Sequence, residues 1–365
     1  MQQQNPIKRI FDLYTSDLSY QEIEKLIKRE ANEVYEFFKS DIPKPDKSRN
    51  KFVRGLIFIR SLFNAFIMKL TPARRIFYLI SIFFFGIGYL EYNTLYIWSG
   101  FIILNLLLAF ELADKLLAKN ELDIAKKIQF DLIPKHKAEI GQYETASHYE
   151  PAREVGGDYF DIIEAHDKTY IVIGDISGKG MAAALYMTRV QAIIYFLLDN
   201  YFDVKEILIK LKKYFSQKLR KEFFLTITIA SIEKDGTINL VRAGHPPPFH
   251  YDASNNEFRE INTCGIGIGF NDYGVFEKTL ELYTFKPGEG DTIVFYTDGL
   301  TETMNKYKIM LGEKRVKKTI ETNANKSAED IKKSLVRLIN YHRGEAAQND
   351  DVTFVVLKRI SAQSK

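Results

Sequence analysis

The chain has 365 residues, enough for one sizeable buried core with attached segments. Lys and Arg number 51 against 47 Asp and Glu, and with no basic cluster beside exposed aromatics this balance gives no ground for a nucleic-acid partner. The single cysteine, Cys264, forms neither an internal disulfide nor a multi-thiolate metal site; it fits a reducing compartment, is expected to be a small buried residue, and leaves metal work to carboxylates.

The opening MQQQNPIKRI is polar and unlike a signal peptide. Ser19 to Phe38 (SYQEIEKLIKREANEVYEFF) begins with a Ser-x-x-Glu capping box and reads as an exposed amphipathic helix, and DIPKPDKSRN after it as a linker, so that residues 1–50 form a polar N-terminal segment. Residues 51–75 carry six basic side chains and no acid, and within them Leu56 to Met68 is suited to lie along a membrane surface with Arg60 snorkelling. Ile76 to Phe110 then holds one charged residue, Glu91. As one straight helix it would be roughly 50 Å long, against a hydrocarbon core of about 30 Å. A bend at Glu91-Tyr92-Asn93 converts it into two spans, the first starting near Thr71-Pro72 and the second at Asn93. The basic flank puts both ends in the cytoplasm, giving a multi-pass cell-membrane protein; a buried helical pair in a soluble domain is the competing reading.

Residues 111–133 are charged and helical, with Leu117, Ile124 and Ile128 along one side and Pro134 ending the run. Phe110, Leu117 and Ile124 recur every seven residues, with Ala113 and Asn120 between them, as a homodimer seam and transmission element would need; one amphipathic helix packed on its own domain is the alternative.

From about Gly141 the texture changes to short β-prone runs. Tyr170 to Ile173, Leu225 to Ile232, Ile238 to Arg242, Thr292 to Tyr296 and Val352 to Leu357 read as strands. Met181 to Leu198, Val204 to Leu219 and Ala328 to Tyr341 read as amphipathic helices. Runs of strands with a helix pair in the middle and a helix near the end predict an α+β domain over residues 134–365, helices covering sheets.

Within that domain GDISGKG has three residues between its glycines and Gly where a phosphate-cradling loop needs Ser or Thr, and VGGD lacks the dinucleotide spacing. Acids at the ends of apolar strands are more informative. Asp158 follows EVGG, Asp175 follows YIVIG, Asp298 follows TIVFYT, and Asp350-Asp351 precede VTFVVL. Any one of them suits a turn, yet several together suit hard cations, which take oxygen ligands.

AKKIQFDLIP, YEPAREVGGDYFD, IGDISGKGMAAALYM, NLVRAGHPPPFHY, GEGDTIVFYTDGLTE and NDDVTFVV, in this order over Ala125 to Arg359, resemble the signature of bacterial PP2C-type metal-dependent serine/threonine phosphatases, in the SpoIIE-like branch of stress and sporulation phosphatases. The resemblance implies a central β-sandwich flanked by helices and a centre for two divalent cations, Mn2+ or Mg2+. It implies that Asp175 bridges both metals with the Ile176 carbonyl, that Asp298 and Asp350 hold one of them, and that Asp158 completes the site; Asp351 ranks behind Asp350. Arg153 has the offset from Asp158 of a phosphate-gripping arginine in eukaryotic relatives. His245 is a general acid or a structural histidine, and Lys179 a substrate contact or a solvated lysine. The implied substrate is a phosphorylated anti-sigma-factor antagonist; an inactive signalling scaffold on the same fold is the rival reading, opposed by the complete acid set.

Overall fold

The computed structural model describes residues 51–134, 139–201, 203–217, 219–261, 263–270 and 274–360; the expected helix at Ser19 to Phe38 and its linker lie outside them. The chain divides into two compact units, Met1–Leu117 and Ala118–Lys365.

In the first unit Thr71 stands extended at the N-cap of α2 (Pro72–Leu90), with Pro72 in the first turn, after α1 (Lys51–Lys69). Asn93 accepts the Leu95 N–H at 3.0 Å and opens α3 (Thr94–Leu132), so the chain reverses over the expected Glu91-Tyr92-Asn93. Small residues let the two helices approach closely: the Ser81 hydroxyl donates to the Gly100 carbonyl at 3.0 Å, and a Cβ on Gly100 would lie 2.9 Å from the Ser81 carbonyl oxygen. At the open end of this hairpin Arg74 pairs with Glu111 at 2.8 Å and Asp114 at 2.7 Å. The 19 residues of α2 rise roughly 29 Å, the thickness of a hydrocarbon core, and Phe77, Phe83, Trp98, Phe101 and Leu108 stay exposed. Both α2 and α3 are long and apolar enough to cross a membrane.

The second unit is a sandwich of two antiparallel sheets. One has the order β1 (Glu139–Ile140), β2 (Tyr143–Glu150), β11 (Val352–Arg359), β10 (Thr292–Tyr296), β7 (Phe249–Asp252), β8 (Glu257–Arg259); the other has β3 (Asp158–Ala165), β4 (Lys168–Ile176), β5 (Leu225–Ile232), β6 (Ile238–Ala243), β9 (Tyr283–Phe285). Alternate residues serve different layers. Ile171, Ile173, Ile293, Phe295, Val355 and Leu357 fill the space between the sheets. Their neighbours Tyr170 and Val172 face α4 (Met181–Leu198) and α5 (Val204–Ser216), while Val294, Phe354 and Val356 face α8 (Glu313–Asn323) and α9 (Ala328–Arg343). Strands covered on both faces are dominated by apolar and β-branched residues, which is why β4, β5, β10 and β11 were legible as near-continuous runs. Two one-turn helices, α6 (Phe276–Thr279) and α7 (Gly299–Glu302), complete the unit. This is the helix-flanked sandwich implied by the resemblance.

Helix α4 is also long and apolar enough to cross a membrane. Its Met187, Val190, Ile194 and Leu197 are instead buried against the sheet, and its buried Gln191 donates to the Leu132 carbonyl at 2.9 Å. One expectation fails outright: Cys264 is exposed. Ile261 and Thr263 turn inward on that surface connection, leaving Cys264 outward with its N–H on the Glu281 carboxylate at 3.1 Å.

Candidate functional site

Four strand ends meet at one end of the sandwich. β3 starts at Asp158, directly opposite Asp175 near the end of β4. In the facing sheet β10 runs out through Thr297 into Asp298, and Asp350-Asp351 lead into β11. The Thr297 N–H extends the β10–β11 pairing by donating to the Thr353 carbonyl at 2.9 Å.

Asp158 is 2% exposed, and its Oδ2 accepts hydrogen bonds from the hydroxyls of Thr297 at 2.8 Å and Thr353 at 2.5 Å. Both threonines belong to the opposite sheet, so this carboxylate ties the sheets together. Asp351 is occupied differently. Its Oδ1 accepts the Ala152 N–H and its Oδ2 the Gly157 N–H, each at 2.6 Å, which folds the 152–157 loop around it. A Cβ on Gly156 would sit 2.6 Å from Asp351 Oδ2 and 2.8 Å from the Tyr149 hydroxyl, so only glycine fits there. Asp350 accepts the Asp351 N–H on Oδ1 at 3.0 Å and pairs through Oδ2 with Lys179 at 3.0 Å; Lys179 also donates to the Asn349 carbonyl.

A Cβ on Gly157 would lie 2.9 Å from the Ile176 carbonyl oxygen and 3.6 Å from Asp175 Oδ1, so both oxygens flank one cradle that a side chain would fill. Arg153 is exposed, with its guanidinium over Gly180 at the start of α4 and no hydrogen-bond partner among the described residues. His245 is 1% exposed, and its Nδ1 lies 3.0 Å from the Thr226 hydroxyl, on the residue paired with Asp175 across β4–β5. Burial pulls this imidazole down to about 3, which keeps it neutral.

The electrostatics are those of crowded acids. Burial, then the charges of Asp175 and Asp351, push Asp158 well above the usual carboxylate range. Burial and the charges of Asp298, Asp350 and Asp351 push Asp175 up to about 7. Asp298 is raised by burial and by Asp350, and Asp351 is raised by burial although backbone N–H groups oppose it. Among the described residues no three acidic, histidine or cysteine side chains converge at ligand distance. The carboxylates neighbour one another while Asp158, Asp350 and Asp351 each turn to a local donor. All-oxygen donors, mutual repulsion and the cradle beside Gly157 fit a hard divalent cation.

Three participants escaped the sequence reading: Thr297, Thr353 and Gln129. The threonines read as ordinary β-formers, and Gln129 lay inside AKKIQFDLIP without being singled out.

Residues 165–360, just over half of the chain, match the family described as Stage II sporulation protein E (SpoIIE). The chain belongs to the SpoIIE family. It is 28% identical over 254 residues to the phosphoserine phosphatase RsbU of Bacillus subtilis, covering 66% of this chain and 70% of that protein. Among solved structures, the SiaA-PP2C domain of Pseudomonas aeruginosa superposes with a TM-score of 0.60 at 19% identity, covering 68% of this chain and 98% of that one. The RsbU and RsbW domains of a Mycobacterium tuberculosis protein give 0.52 at 23% identity, with 60% of each chain covered. These two likenesses establish a PP2C-type fold for the SpoIIE-family unit.

The Asp351 clamp is testable. In Asp351→Ala the N–H groups of Ala152 and Gly157 lose their acceptor, at about 1–3 kcal/mol for each one left unsatisfied. The melting temperature of the full chain in nanodiscs should fall by several degrees, and an unchanged melting curve would refute the clamp.

Proposed function

We propose that this SpoIIE-family chain is a membrane-anchored protein phosphatase that hydrolyses a phosphoserine or phosphothreonine on a regulatory protein. The observation that carries the reading is the meeting of Asp158, Asp175, Asp298 and Asp350 from both sheets in one partly buried space, in a chain related to a phosphoserine phosphatase.

Asp175, the Ile176 carbonyl, Asp298 and Asp350 would hold two divalent cations, Mn2+ or Mg2+, with Asp158 completing the site. When bound, such ions lower the pKa of a shared water and offset the charge of the attacked phosphoryl group. The chain's own residues do the rest. Asp158, fixed by two threonine hydroxyls, holds the end of β3 in register with Asp175. Lys179 steers Asp350, and Arg153 offers an exposed cation at the rim for an anionic phosphoryl oxygen. His245 is assigned a structural role, because its ring is buried beside the Thr226 hydroxyl and kept neutral, and a neutral imidazole is a far weaker acid than an imidazolium. RsbU and RsbW domains occur together in the Mycobacterium tuberculosis relative, which supports a partner-switching regulator, an anti-sigma-factor antagonist, as substrate.

Asp175→Asn keeps shape and removes charge. Dephosphorylation of the organism's phosphorylated antagonists in Mn2+ should fall by at least about a hundredfold. The same substitution has a stability signature of opposite sign. A carboxylate with a raised folded-state pKa favours folding below its unfolded value of about 4, and that preference is lost as pH climbs through about 7. In EDTA the parent chain should melt lower at pH 8 than at pH 5, and Asp175→Asn should flatten this slope and melt higher at pH 8. Full activity in the variant, or activity of the parent in EDTA, would sink the two-metal reading.

The hairpin reading places the N-terminus and residues 134–365 in the cytoplasm, as the basic flank at residues 51–75 favours. Because Cys264 is exposed, the topology probe is built on Cys264→Ser. A cysteine at Tyr92 should react with an impermeant maleimide on intact cells, and cysteines at Asn50 or Lys119 should not. Equal labelling of all three would overturn the orientation.

Leu117 is 62% and Ile124 57% exposed, which favours pairing of two copies along α3 over burial within one chain. Leu117→Glu and Ile124→Glu should each convert dimers to monomers in detergent, read by light scattering. A parent chain that is already monomeric removes the seam.

A further inference from the structure

A side chain in the last turns of α3 is hydrogen-bonded to the loop that leads into the acid cluster. Gln129 is 4% exposed and forms a two-way amide pair with Gly156: its Nε2 donates to the Gly156 carbonyl at 2.8 Å, and the Gly156 N–H donates back to Oε1 at 3.0 Å. The space where a side chain would stand on Gly156 is taken by the Asp351 carboxylate and the Tyr149 hydroxyl. The next residue, Gly157, gives its N–H to Asp351 and its carbonyl to the Ile176 N–H at 3.3 Å. Asp158 follows at once. A chain of hydrogen bonds therefore runs from the side chain of α3 through two glycines to the cradle beside Ile176 and Asp175.

We infer that Gln129 is a positioning residue for the acid cluster, holding Gly156 and Gly157 so that Asp158, Asp175 and the Ile176 carbonyl keep the spacing that a divalent cation needs. This rests on reading the cluster as a metal centre. A glutamine that merely satisfied the peptide groups of Gly156 would matter for stability alone. One that sets the cluster's geometry matters for metal affinity in the folded protein, because outer residues that orient ligands change affinity by about ten- to a hundredfold. The same helix end supplies an internal control: Gln191 of α4 bonds the Leu132 carbonyl at 2.9 Å and Asp161 at 3.3 Å, and neither contact touches the 152–157 loop.

The test compares the full chain in nanodiscs with Gln129→Leu, Gln129→Glu and Gln191→Leu, measuring Mn2+ binding by calorimetry at 25 °C and melting temperature in EDTA. Gln129→Leu, which loses both bonds, should bind Mn2+ about ten- to a hundredfold more weakly while remaining folded. Gln129→Glu, which keeps the acceptor for the Gly156 N–H, should recover part of that loss. Gln191→Leu should melt lower with parental Mn2+ affinity. Parental affinity in Gln129→Leu, or an equal loss in Gln191→Leu, overturns the positioning role while leaving the metal centre standing. A parent chain that binds no Mn2+ overturns both. If Gln129→Leu does not fold, Gln129→Glu alone decides, since parental affinity there combined with a lower melting temperature means that Gln129 is structural only.

Discussion

The working end of this protein is organised by like charges forced together. Asp158, Asp175, Asp298, Asp350 and Asp351 occupy a partly buried space in which burial and the neighbouring charges push Asp175 up to about 7. Around Asp175, the acids Asp158, Asp350 and Asp351 are each held by donors. Two threonine hydroxyls face Asp158, backbone N–H groups face Asp351, and Lys179 faces Asp350. Remove the sandwich and the acids separate, since β3 and β4 belong to one sheet and β10 and β11 to the other.

The adjacent pair Asp350-Asp351 illustrates how little sequence separates two roles. Entering β11, successive side chains point in opposite directions. One carboxylate reaches Lys179 at the open rim, and the other turns into the 152–157 loop and is consumed by backbone N–H groups. Both carboxylates have both oxygens engaged, Asp350 by the Asp351 N–H and Lys179 at 3.0 Å each, and Asp351 by two loop N–H groups at 2.6 Å. A similar division separates Arg153, exposed beside Gly180, from His245, buried and neutral.

The apolar helices make the complementary point. α2, α3 and α4 satisfy the same criteria of length and apolarity, yet α4 is a core helix, with Val190, Ile194 and Leu197 packed on the sheet and Gln191 hydrogen-bonded inside. In α2 and α3 the large side chains stay exposed on the outer faces, while small residues line the contact between the two. Composition cannot separate these cases, because both environments reward burial of apolar surface away from water.

The sequence by itself determined most of the largely apolar elements: Leu225 to Ile232, Thr292 to Tyr296 and Met181 to Leu198 have the expected bounds, the length of the apolar run required the reversal at Glu91 to Asn93, and Thr-Pro and Asn marked where its two helices begin. It also supplied the acids, since carboxylates at the ends of apolar runs stand out against their neighbours. Tyr143–Glu150, Asp158–Ala165 and Glu313–Asn323 were not legible. The first two mix polar side chains into a strand, and in the third only Val316, Ile320 and Asn323 reach the interior. Only the tertiary structure decided which oxygens share a space, that Asp158 joins two sheets through Thr297 and Thr353, and that Gln129 holds Gly156. Those bonds link residues from 27 to 195 positions apart, and no local periodicity encodes a hydrogen bond closed by the packing of distant strands.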